Sequence, residues 1–180
     1  MKKIFFLAAM IITLISCTAF AAQNNSRDAF NSTKVVIIGG GEFKTKDYYE
    51  IIKKTFGQKS KIVYDCGDEI QRQYQIFMMD RYDIGESTPH KQDLIDFNAR
   101  NGYKKTLFLT LDEKLDTHTH GEHSQKSRIT IQLDAYLVDS SRIINFATTS
   151  QEFTSKASNL RARRGAFEKC LKEIAKVMNL

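Results

Sequence analysis

Three of the four histidines of this chain stand within six residues, in His118-Thr119-His120-Gly121-Glu122-His123, with Asp116 close by. Imidazoles at that density suit Zn²⁺ or another divalent transition metal such as Cu²⁺ or Ni²⁺. The spacing is not the His-Glu-x-x-His of a helical metalloprotease site, and Gly121 favours a turn. His118, His120 and His123 therefore read either as a metal-binding loop or as a solvated hairpin tip. No catalytic residue is nominated: the chain has no Gly-x-Ser-x-Gly elbow and no cysteine with the local signature of an activated nucleophile. The acidic pair Asp93 and Asp96 falls on a predicted helix face, where carboxylates are normally just solvated.

The run Val35-Val36-Ile37-Ile38 leading into Gly39-Gly40-Gly41 has the outline of a dinucleotide-binding turn, whose backbone N–H groups hold phosphate at a helix start. The third glycine of that pattern would fall at Lys44. Gly40-Gly41-Glu42-Phe43 likewise has part of a nucleotide-cyclase signature but lacks one of its acidic positions. Both stretches read as a strand-to-helix turn, and no cofactor is expected. Arg161, Arg163, Arg164, Lys169 and Lys172 make the C-terminal segment basic, which suits an anionic lipid surface, an acidic partner or simply a wet helix face.

The N-terminus sets the compartment. Lys2 and Lys3, an apolar run from Ile4 to Ile15, and small residues at Ala19, Ala21 and Ala22 are the three parts of a secretory signal peptide over residues 1–21. The apolar run is short of the roughly 20 residues needed to cross a bilayer, and no later segment approaches that length. Two cleavage chemistries fit: release after Ala19-Phe20-Ala21, or lipidation of Cys17 in a Leu14-Ile15-Ser16-Cys17 lipobox, which would tether the chain to a membrane. The exported protein is then periplasmic or extracellular, with or without a lipid anchor and with no transmembrane segment.

Removing residues 1–21 takes away Lys2 and Lys3 and no acid, so the formal charge of +6 falls to +4. That excess is too mild to imply nucleic acid. Cys66 and Cys170 remain where disulfides form, and they read as a bridged pair or as two buried thiols.

A polar leader over 22–33 precedes one domain over 34–180, near the commonest domain size. Val35–Ile38 predicts a strand covered on both faces. Tyr48, Ile51, Ile52, Thr55 and Phe56 predict a helix over 46–56, and Ile62-Val63-Tyr64 a second strand. Residues 68–101 predict one broken helical unit. Ile70, Tyr74, Phe77 and Met78 form its apolar face, the first part ends near Gly85, and Thr88-Pro89 starts the next. Strands follow over 103–111 and 129–139, separated by a polar loop at 112–127, with a hairpin partner over 143–154. Leu160, Phe167, Leu171, Ile174 and Met178 mark a terminal amphipathic helix. The expected fold is a single two- or three-layer α/β domain with a mixed sheet and the order β-α-β-α-β-loop-β-β-α.

Tyr103 to Leu111, the polar loop, Ile129 to Asp139 with Leu137-Val138-Asp139, Ile143-Ile144 and the basic helix together resemble the periplasmic α/β domain of curli-secretion (CsgG-like) and penicillin-binding-protein-activator (LpoB-like) lipoproteins. The resemblance covers roughly 34–178 as an order of elements and implies a non-catalytic domain that binds another envelope component. The 112–127 loop is too small for the membrane hairpins of a secretion channel, so no channel is expected. The expected function is thus an exported, non-enzymatic envelope protein whose partner is an envelope protein or complex. The alternative is a periplasmic metal-binding protein that uses the histidine loop.

Overall fold

Burial on both faces dictates the centre of the fold. Val35, Val36 and Ile37 are fully buried although their side chains alternate, so the first strand, β1 (Thr33–Ile38), must carry a layer on each side. The computed structural model describes residues 32–58, 62–82, 89–120 and 124–180, and residues 33–180 make one compact unit. After β1 come a single 3-10 turn at Gly41–Phe43, α1 (Lys46–Gly57), β2 (Tyr64–Asp65), α2 (Asp68–Arg81), α3 (Lys91–Arg100), β3 (Lys105–His120), β4 (Ser124–Asp139), β5 (Arg142–Ser155) and α4 (Asn159–Met178).

The five strands form one sheet in the order β2-β1-β3-β4-β5. β1 is parallel to β2 and β3, while β3, β4 and β5 form an antiparallel meander. α1 and α4 cover one face, the inner one, where Val35, Ile37, Leu107, Ile131 and Leu133 meet Ile52, Phe167, Leu171 and Ile174. α2 and α3 cover the other, outer face, where Val36, Ile38 and Phe108 meet Ile70, Tyr74, Phe77, Leu94 and Phe97. The mixed α/β class is as expected, and the second helical layer extends over only part of the sheet.

The glycines after β1 serve the backbone. Gly39 takes φ +81°, and a Cβ there would lie 2.6 Å from the Leu111 carbonyl oxygen of β3. Only glycine lets the chain leave the sheet at that point.

Four expectations about elements are corrected. The polar loop at 112–127 is strand: β3 and β4 pair without interruption from Lys105↔Asp139 to His120↔Ser124. The run from Asp112 to Asp116 carries little buried apolar alternation, which hid a ladder whose backbone bonds do not depend on burial. The second strand is displaced to Tyr64–Asp65, leaving Ile62 and Val63 exposed. β1 finds its remaining edge partner in a side chain: Ile37 N–H donates to Gln71 Oε1 at 3.1 Å, and Gln71 Nε2 donates to the Val35 carbonyl at 3.2 Å. The first part of the broken helix stops at Arg81 rather than near Gly85. α3 starts at Lys91, because the Asp93 carboxylate accepts the His90 N–H at 2.7 Å in a capping box; Pro89 therefore precedes the cap, and Thr88 lies outside the described residues. Leu160, finally, is exposed, while Phe167, Leu171, Ile174 and Met178 dock α4 on the sheet as expected.

Candidate interaction face

On the inner face, β4 contributes Ile129, Ile131, Leu133 and Ala135, all fully buried, so the alternate residues of β4 and their partners on β5 point outward. α2 and α3 shield that outer face over β1 and β3, reaching β4 at Val138. Over the rest of β4 and β5, no helix covers it among the described residues.

Tyr136 and Phe146 are directly paired across these strands and stack, with ring centroids 6.0 Å apart and planes 17° from parallel. Phe146 is 62% exposed. A register shift at Leu137/Val138 marks a bulge beside them, where Ile143 packs against the outer cluster and Ile144 stays 42% exposed. A bulge re-aims side chains next to it, which places this apolar group at one end of the meander. Thr148 and Ser150 continue the same face as a polar, exposed surface.

β5 is also the sheet's edge. It runs 14 residues without proline and carries only Arg142 and Glu152 as charges. Lys169 Nζ of α4 donates to the Glu152 carbonyl at 3.0 Å and lies 5.3 Å from the Phe153 ring, blunting the later half of that edge. Near Phe146 no side chain does the same among the described residues.

The residues singled out from sequence are dispersed. His118 and His120 continue β3 opposite Lys126 and Ser124; their side chains, and His123 altogether, lie outside the described residues. Cys17 also lies outside them. Cys66 and Cys170 are two separate buried thiols. Cys66 follows β2, whereas Cys170 Sγ donates to the Ile131 carbonyl of β4 at 3.4 Å. β2 and β4 are three strand spacings apart, roughly 14 Å, beyond the ~7 Å between Cα atoms that a bridge spans. The bridged alternative therefore does not fit this fold. Burial pushes the Cys66 thiol up to about 12 and the Cys170 thiol up to about 11, so neither is poised as a nucleophile.

Asp93, expected on a wet helix face, is 1% exposed and ion-pairs with Arg81 Nε at 2.8 Å. The capping role drew it inward. Asp96 stays nearer solvent, its carboxyl held below the usual range by hydrogen bonds from Gln92 and Arg81. In the basic helix, Arg163 is half-buried and bidentate to Glu113 at 2.6 and 2.8 Å, so it holds α4 to β3. Arg164 meets Glu168 at 3.3 Å.

No family model matches this chain, and no curated protein is similar to it in sequence. Solved structures align with it at low sequence identity and with TM-scores below 0.5. Lipoprotein GNA1162 from Neisseria meningitidis is 12% identical, with a TM-score of 0.42 over 80% of this chain and 99% of that one. The PelC dodecamer protein from Paraburkholderia phytofirmans is 9% identical, with a TM-score of 0.45 over 82% and 86%. The LpoB C-terminal domain from Salmonella enterica is 12% identical, with a TM-score of 0.35 over 68% and 83%.

Among the described residues no helix is long and apolar enough to cross a membrane. The outer aromatic pair is the feature that sequence reasoning passed over. Its signal was present: Tyr136 falls on the polar phase of an alternation set by Leu133 and Ala135, and Phe146 shares its phase with Thr148 and Ser150. Aromatics out of phase with a strand's buried side are either solvent-facing or docked.

Proposed function

We propose that this chain is an exported, non-enzymatic domain that binds another protein of the bacterial envelope, and that the outer face of β4 and β5 around Tyr136 and Phe146 is where the partner docks. The observation that carries the reading is Phe146, 62% exposed and stacked on Tyr136 at the margin of the cluster that α2 and α3 form on the outer face. Aromatic anchors of this kind dominate binding energy at protein interfaces, because one ring supplies a large apolar area at low cost in conformational entropy. The free edge of β5 beside the pair offers backbone groups to an incoming strand. The signal segment at 1–21 supports the compartment, and Cys17, where retained and acylated, would hold the domain at a membrane.

A photo-crosslinking residue placed at Phe146 and, separately, at Lys172 on the opposite layer tests the face. A discrete adduct with an envelope protein from position 146 and none from position 172 is the expected result. Adducts from position 172 alone would refute the assignment.

A further inference from the structure

The strand register gathers one end of the domain. Thr33 of β1 pairs with Tyr64 of β2 and Lys105 of β3, Lys105 with Asp139 of β4, and Asp139 with Arg142 of β5, so these residues form one transverse row. β1 and β5 run away from that row, and the helices that follow them return to it. Gly57 at the end of α1 leads back towards β2, and the Met178 carbonyl at the end of α4 accepts from the Asn145 side chain at 3.2 Å. The last turns of both inner helices therefore lie at the end where the chain enters the domain at Thr33.

Two observations distinguish this end. Lys54, Lys104, Arg142, Lys172 and Lys176 are exposed there, and none has an ion-pair partner among the described residues. The neighbouring acids are already occupied: Glu50 by Lys53 at 3.1 Å, Asp65 by Lys34 at 2.6 Å and Asp139 by Lys105 at 3.8 Å. Glu173, half-buried, is the one acid of α4 without an ion pair among the described residues. The second observation is apolar. Val63, whose carbonyl accepts the Thr33 N–H at 2.9 Å, is 63% exposed and follows the exposed Ile62, while Val177 in the last turn of α4 is 59% exposed. β2 and β5 are the two edges of the sheet and α4 packs on β4 and β5, so these apolar points stand on the two sides of the end, roughly 20 Å apart, with the lysines of α1 and α4 between them.

We propose that this end of the domain lies on an anionic lipid surface, with Lys54, Lys172 and Lys176 against the headgroups and Val63 and Val177 dipping into the interface. Unpaired basic residues interspersed with exposed apolar ones are the composition that holds a protein at such a surface. A bilayer fits the spread of these groups across the whole end, whereas an acidic peptide would need them gathered in one groove. The segment that carries Cys17 joins the domain at this same end, so an acyl chain there, where retained, would act on the same surface as the lysines, and two weak signals together anchor stably. The inference rests on the export reading above for its compartment. The strands then rise from the surface, leaving the outer face of β4 and β5 turned sideways and open to a protein partner.

Co-sedimentation of residues 22–180, the form released after Ala21 and free of any acyl chain, with lipid vesicles tests the assignment. Binding to phosphatidylcholine vesicles containing about a quarter phosphatidylglycerol should be at least tenfold tighter than to phosphatidylcholine alone, and should be lost at about 0.5 M salt. Each basic residue near such a surface is worth about fivefold. Lys54→Gln, Lys172→Gln and Lys176→Gln together should therefore weaken binding at least tenfold. Lys91→Gln, Lys114→Gln and Arg161→Gln remove the same charge from exposed positions away from this end and should change it less than about twofold. The chain has no tryptophan, so Val177→Trp supplies a probe whose fluorescence should shift to the blue on the anionic vesicles, while Leu160→Trp in the first turn of α4 should not shift. None of these readouts involves Phe146, so their failure and the failure of the outer-face reading are separate results. No binding to the anionic vesicles at low salt, or equal losses from the two triple variants, would overturn the proposal. Tighter binding to soluble poly-glutamate than to the vesicles would also overturn it and assign the end to an acidic protein.

Discussion

Replacing Gln71 should destabilise the domain more than its place in the first turn of a helix suggests. β2 pairs with β1 only at Thr33↔Tyr64 and Lys34↔Asp65, so the edge of β1 beyond it would be bare. The Gln71 amide fills that gap by accepting from Ile37 N–H and donating to the Val35 carbonyl, and it is itself buried. A buried backbone group that loses its partner costs about 1–3 kcal/mol. Gln71→Leu keeps the volume but orphans two such groups, giving an expected loss of about 2–5 kcal/mol in urea denaturation. Native-state hydrogen exchange should show the Ile37 amide losing protection.

Gln71→Glu sharpens the test. Its carboxylate can still accept from Ile37 N–H but opposes the Val35 carbonyl, and burial raises its pKa above the ordinary ~4.3. The folded state then binds the proton more tightly than the unfolded state. Stability of this variant should therefore rise as pH falls through the raised value, with the loss fully present above it. A Gln71→Leu loss below about 1 kcal/mol, or a Gln71→Glu variant with no such pH dependence, would show that the side chain does not stand in for a strand.

Three further outcomes follow from the packing. Phe167→Ala should cost about 3–5 kcal/mol in chemical denaturation, since the ring is fully buried between Phe43 and Tyr48 at centroid distances of 5.3 and 5.2 Å. Gly165→Ala should lower stability by about 1 kcal/mol despite alanine's better helix propensity, because a Cβ there would lie 2.6 Å from the Phe153 ring; adding Phe153→Leu should recover the loss. The triple change of His118, His120 and His123 to alanine should shift a melt by less than about 0.5 kcal/mol in chelator, since β5 pairs with β4 only as far as Ser127 and the hairpin beyond it pairs with itself; collapse of the wild type in chelator alone would favour the metal-binding alternative.

Where burial sets the pattern, sequence was sufficient. The continuous apolar run of β1, the 3.6-residue spacing of α1 and α4, and the alternation of β4 each follow from which side faces the core. The reading failed where backbone or polar groups decide the structure. The far arm of the β3–β4 hairpin has little buried alternation, β2 is replaced along most of its length by one glutamine amide, and Asp93 was drawn inward by a cap. The glycines resembled a phosphate turn because that turn and a close approach to Leu111 make the same demand on φ. At the candidate face, the out-of-phase Tyr136 and Phe146 were visible, but only the positions of α2 and α3 reveal that Tyr136 sits at the margin of the outer cluster and that Phe146 stays exposed beyond it.

Phe146→Thr should leave the fold intact, with a stability loss near 1 kcal/mol from the broken stack on Tyr136, while reducing capture of the crosslinked envelope partner at least tenfold in a titration against the wild type. A variant that remains folded and binds the partner as tightly as the wild type would show that the partner docks elsewhere than on the outer face of β4 and β5.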